Sequence, residues 1–159
     1  KFDFSDFPAL LAAFGLGPIA GILVELIKNV LHSFSSGSFA VGELSNFILG
    51  ASFVGVAGLV YQKKKSKKGA VLASLLGAVT MALVSYPSNL FVVYPFYYNF
   101  MPKETVLSMY QLILPSVGSM EKALLIFNLP FTFIKGMLDV LLCLFLYKSI
   151  SPLLHKLKR

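Results

Sequence analysis

The chain has 159 residues, 57% of them hydrophobic and 13% charged, with a mean hydropathy of +0.78. Soluble globular domains stand nearer half apolar and about a quarter charged, so a water-covered fold and an enzyme with a polar cleft are both excluded. The composition is that of an integral membrane protein solvated by the lipid bilayer, and at about 20 residues per crossing the length allows roughly five or six helices.

The net charge of +7 is not spread evenly. Five lysines crowd into Lys63-Lys64-Lys65-Ser66-Lys67-Lys68, and Lys148, Lys156, Lys158 and Arg159 gather at the C-terminus. Nucleic-acid binding needs basic residues interleaved with aromatics on one face. Here they flank apolar runs and read as cytoplasmic anchors under the positive-inside rule. One cysteine, Cys143, lies inside an apolar run, and His32 and His155 have no ligand spacing around them. Neither a disulfide framework nor a metal site is expected.

The chain opens on Lys1-Phe2-Asp3 without an initiator methionine or a signal peptide, which reads as a trimmed start with sequence upstream. The first apolar run, Phe7 to Leu31, is interrupted by Gly15-Leu16-Gly17-Pro18, residues that break helices. It is either one long span or a short helix from Ser5 to Phe14 followed by another from Pro18 to Phe34. Leu44 to Tyr61 has the length of one span. Gly69 to Ser85 is another, ending near Pro87 and resuming at most through Phe91, and Ala123 to Tyr147 is a long last span.

Parity fixes the orientation. The lysine cluster and the basic tail belong on the cytoplasmic side, and two spans separate them. Before the cluster there are two or three crossings; the Gly-Leu-Gly-Pro break favours three. Segments Ser33–Gly42 and Tyr86–Glu121 then face outward. The second carries Phe91, Tyr94, Phe96, Tyr97, Tyr98 and Phe100, either an interfacial aromatic belt or the lid and lining of a pocket. Ala70, Ser74, Ala78 and Ala82 form an i, i+4 ridge beside Gly69, Ala73 and Gly77, suited to close helix packing within the bundle or to docking a partner.

Polar groups inside apolar runs are costly and therefore informative. Asn46 sits early in its span, just after Gly42-Glu43, and Asn89 follows Pro87. In the last run Asn128, Thr132, Lys135 and Asp139 recur at helical spacing and share one face. That face points into the bundle or a wet cavity; either Lys135 and Asp139 neutralise each other as an i, i+4 pair, or Asn128, Thr132 and Lys135 join Asn89 in binding a polar, uncharged ligand from outside. Glu25, Lys28 and Asn29 form another patch, read as a helix-end or inter-helix contact. No nucleophile–base pair, HExxH or phosphate loop occurs, so transport would draw its energy from a partner or an ion gradient.

The stretches Phe2–Ile22 (FDFSDFPALLAAFGLGPIAGI), Val41–Phe53 (VGELSNFILGASF) and Pro130–Gly136 (PFTFIKG) resemble the substrate-binding S components of energy-coupling factor (ECF) transporters, closest to the riboflavin-binding type. The resemblance runs in order along the whole chain. It implies an all-α membrane protein, a compact transmembrane bundle of the six-helix type with the first helix absent, leaving five helices in one transmembrane substrate-binding domain over residues 1–159. It also implies three crossings before the lysines.

By position, Asn89 matches an asparagine that hydrogen-bonds the flavin, and Lys135 a lysine that reaches it. Thr132 stands where relatives carry asparagine. Phe4 to Asp6 and the backbone near Gly42 line the family pocket. With the residues singled out above, the expected ligand set is Phe4, Asp6, Gly42, Asn46, Asn89, Tyr94, Asn128, Thr132 and Lys135. Riboflavin is then the transported ligand and no cofactor is expected. The implied partners are a membrane-embedded T component and two ATP-binding cassette ATPases.

A flat tricycle with a hydrogen-bonding edge and a neutral polyol suits a slot with a few placed polar groups. Folate would favour bidentate arginine, and the sole arginine is Arg159; thiamine would favour tryptophan, and there is none. An S component for another vitamin, such as pantothenate or a pyrimidine precursor, remains the second reading. A structural membrane protein whose polar face only joins helices is the third.

Overall fold

The computed structural model describes residues 5–34 and 41–156, with side chains from 5 to 34 and from 41 to 145. Phe4, the middle of the Ser33–Gly42 segment and the side chains of the basic tail, His155 among them, lie outside these. The described residues are helical, with no strand among them.

The first run is two helices, α1 (Phe7–Gly15) and α2 (Pro18–Ser33). Pro8 and Pro18 stand in their first turns, where a missing N–H costs nothing. Between them Gly17 has φ +112°, a conformation that favours glycine. The α1–α2 turn sits beside Gln62, near the lysine end of the next helix. Neither helix is a full span by itself: α1's 9 residues rise only about 14 Å, roughly half the hydrocarbon thickness. The helices long and apolar enough to cross are instead Val41–Lys63, Lys67–Tyr97 and Met120–Phe145. The first of these is α3 (Val41–Lys63), which ends at the lysine cluster.

α4 (Lys67–Tyr97) begins under Ser66, whose Oγ accepts from the Gly69 N–H at 3.0 Å. It does not end near Pro87. Pro87 lies inside the helix, which passes through a π-helical turn at Asn89–Val93 and runs on to Tyr97. Membrane helices tolerate proline where neighbours and local π adjustments satisfy the freed groups. Most of the outer segment expected as a loop is thus helical, and it holds a sixth helix beyond the five expected, α5 (Lys103–Ile113). The last helix, α6, comprises Met120–Ala123, a second π-helical turn at Leu124–Asn128, and Leu129–Lys156.

The two π turns obey one local rule. Pro95 and Pro130 each stand two residues past the turn's last residue. A proline ring clashes with the carbonyl four residues earlier, here Phe91 and Ile126. Both lie within the widened turns.

α3 and α4 form the most extensive helix pair, and α6 packs on α4. The small-residue ridge works inside this bundle: Ala70, Ala73, Ser74, Gly77, Ala78 and Ala82 are buried. A Cβ on Gly77 would come within 2.7 Å of the Phe53 carbonyl oxygen. The ridge therefore buys close helix approach, and the apolar side chains of α4's other face, such as Leu75, Leu76 and Leu83, stay outward.

Candidate functional site

Two groups of polar side chains occupy the bundle. The first is an ionic chain built from three elements. Asp6 occupies the N-cap position of α1 but makes no side-chain cap bond. Its carboxylate instead meets two ammonium groups: Lys28 of α2, and Lys135 of α6 at 3.0 Å. Lys28 also contacts Glu25 Oε2 at 2.6 Å. Asn29 then donates from Nδ2 to the Glu25 carbonyl at 2.8 Å and to its carboxylate at 3.3 Å. Asp6 and Glu25 are 1% and 0% exposed and Lys135 6%. Buried charges hold only when paired and hydrogen-bonded, and here each strengthens its neighbour. Gly50 of α3 makes room: a Cβ there would stand 2.3 Å from Glu25 Oε2.

The second group lies along α6 and the C-terminal part of α4. Thr132 is buried one turn from Lys135, as the shared-face reading requires, and Asp139 is buried one turn further on. Asn128 closes the π turn, and its buried Nδ2 has no hydrogen-bond partner among the described residues. A buried donor of this kind calls for an acceptor. Asn89 opens the other π turn and donates from Nδ2 to the Ser85 carbonyl at 2.7 Å.

Gly42 and Asn46 lie half-buried in the first turns of α3. Ser45 and Ser88, the neighbours of Asn46 and Asn89, join α3 to α4 at 2.9 Å and set both asparagines at one depth. His32 Nδ1, 3.0 Å from Glu43 Oε1, ties α2 to α3 nearby, an inter-helix contact.

An apolar cavity of about 330 Å³ lies under α5, lined by Tyr94, Tyr97, Met101, Val106, Tyr110 and neighbours. Of the expected ligand residues only Tyr94 lines it. Its hydroxyl pairs with that of Tyr110, whose ring lies 5.5 Å from Phe127. The structure thus brings Asp6 and Lys135 together, sets Thr132 and Asn128 on the same helix as Lys135, and leaves Tyr94 in a separate aromatic region. Among the described residues no cluster of three or more His, Cys, Asp or Glu could hold a metal.

Sequence reasoning missed the union of the Glu25–Asn29 patch with the α6 face. The i, i+3 and i, i+4 spacing of Glu25, Lys28 and Asn29 placed them together, but their partner lay 22 residues away from Lys28 in Asp6. It also missed the π turns, for which Tyr94-Pro95 and Leu129-Pro130, each behind an apolar helical run, are the available signal.

Residues 1–147 match the family described as "ECF transporter, substrate-specific component". The chain belongs to that family. The S-component assignment is supported along nearly the full length by relatives. The riboflavin transporter RibU of Staphylococcus aureus (strain TCH60) is 32% identical over 159 residues, covering 98% of this chain and 77% of that protein. The riboflavin transporter FmnP of Bacillus subtilis (strain 168) is 33% identical over 155 residues, 96% of this chain and 77% of that protein. A solved structure described as the S component of a bacterial ECF transporter superposes with a TM-score of 0.73 at 32% identity, covering 96% of this chain and 78% of that one. This S component is accordingly a transport subunit of the membrane and not an enzyme, and its helical bundle is the one the resemblance implied.

Proposed function

We propose that this S component binds riboflavin on the outer side of the membrane and delivers it inward with a T component and two ATP-binding cassette ATPases. The observation that carries the reading is its 32% identity, over 98% of its length, to a riboflavin transporter. The site chemistry agrees with it. A neutral flavin needs a few donors and acceptors within apolar walls, and the buried amide of Asn128, the carbonyl of Asn89, the hydroxyl of Thr132 and the ammonium of Lys135 are of that kind.

In this reading Asp6 holds Lys135 in place, while Gly42 and Asn46 border the ligand. The lysine cluster and the C-terminus face the cytoplasm, following the positive-inside rule. Ligand capture closes the outer segments, and movement of the bundle against the T component opens the site inward.

The test is a visible spectrum of protein purified in detergent without added ligand, followed by denaturation and identification of whatever is released. A yellow preparation releasing riboflavin near one-to-one is expected. A colourless preparation that also fails to quench the fluorescence of added riboflavin rules the flavin out.

A further inference from the structure

α5 is only shallowly embedded. None of its residues is buried, and Leu112 and Ile113 are largely exposed. Its C-terminal end is tied down by Gln111, which donates to the Val117 carbonyl at 2.9 Å. Tyr110 is the side chain through which α5 reaches the two long outer helices. Its hydroxyl pairs with Tyr94, the residue directly after the π turn of α4. Its ring packs at 5.5 Å on Phe127, which sits inside the π turn of α6 beside Asn128.

One side chain therefore touches a residue of one widened turn and the residue that follows the other directly. π-helical turns are rare, single-turn features that persist where something holds them, and they concentrate at functional sites. The two turns carry Asn89 and Asn128, the amides assigned above to the ligand.

We propose that Tyr110 is a positioning residue: it latches α5 over the outer end of the bundle and, through Tyr94 and Phe127, holds the two π turns at the spacing at which Asn89 and Asn128 meet the ligand. The ligand half of this inference rests on the riboflavin reading; the mechanical half does not. Tyr110 makes no contact with the substrate in this account. Its effect falls on how long the site stays closed rather than on how fast it is found, because a latch formed after entry slows escape.

The test compares full-length wild type, Tyr110→Phe, Tyr94→Phe and the double variant. Riboflavin association and dissociation are followed by flavin fluorescence quenching, and hydrogen exchange is measured on the same samples. Removing one hydroxyl contact should speed dissociation by about 3- to 10-fold while leaving association nearly unchanged. The double variant should match either single one, since both remove the same bond. In ligand-free protein, exchange should rise together in Lys103–Ile113 and in both π turns, with the α3–α4 contact unchanged.

The proposal is overturned if association and dissociation change equally, if the double variant multiplies the single effects, or if exchange rises in α5 without the π turns. Should wild type bind no riboflavin, the riboflavin reading fails by itself. The exchange pattern of the Tyr110→Phe protein then decides the latch alone.

Discussion

The ionic chain and the π-turn region answer the cost of polar groups in lipid in opposite ways. Around Asp6 the charges find opposite charges: Lys28 and Lys135 meet the carboxylate, and Glu25 is joined through Oε2 by Lys28 and Asn29, with only its Oε1 left without a hydrogen bond among the described residues. Around Asn128 a buried donor is left without one. An ion-paired network rigidifies what it joins, while a buried donor without a partner calls for an acceptor. The comparison divides the bundle into a half that fixes geometry and a half that, in the proposed function, meets the ligand, with Lys135 standing at the boundary.

The largest effect should come from breaking the ion-paired half. Asp6→Asn leaves the ammonium groups of Lys28 and Lys135 facing a neutral amide, and loss of one partner from a buried ion pair costs about 3–5 kcal/mol. Thermal unfolding in detergent should register a large drop. An unchanged midpoint would mean that these ion pairs hold nothing together. Next is Gly50→Ala, which drives a methyl group against Glu25 Oε2. Overpacking of that kind costs about 1–3 kcal/mol, again read as unfolding, with ligand affinity following stability.

Asn128→Ala should behave in the reverse sense. It removes a donor that no described residue uses, so the unfolding midpoint should hold, while riboflavin binding weakens by about 1–3 kcal/mol from the unpaired ligand acceptor. Asn89→Ala should weaken binding over the same range. Smallest of all, replacing Lys63, Lys64, Lys65, Lys67 and Lys68 with glutamine should leave affinity unchanged within about 0.5 kcal/mol, as for surface changes remote from a site. A larger loss in equilibrium titrations would connect the lysine end to the pocket.

The spans were legible because hydropathy and helix breakers act locally. Gly15 to Pro18 placed the α1–α2 turn, and the spacing from Asn128 to Asp139 placed a polar stripe that the bundle does bury. What escaped was non-local or depended on compensation. Pro87 reads as a stop, yet the helix passes through it. α5 escaped because its amphipathic residues lie between an aromatic stretch and a Pro- and Gly-bearing one, Leu114 to Ser119, which look like loop. The partnership of Asp6 with both lysines is set by tertiary packing and has no spacing rule of its own. The resemblance implies both Asp6 and Lys135 in the ligand set, and the structure pairs the two.

The most direct measurement of the central claim is a riboflavin titration of wild type and Asn128→Ala side by side, with unfolding midpoints taken on the same preparations. One-to-one quenching by wild type, at least about fivefold weaker binding by the variant and matching midpoints are the predicted result. Equal affinities, or a variant that loses binding only because it unfolds, would contradict the assignment of this unsatisfied donor to the ligand.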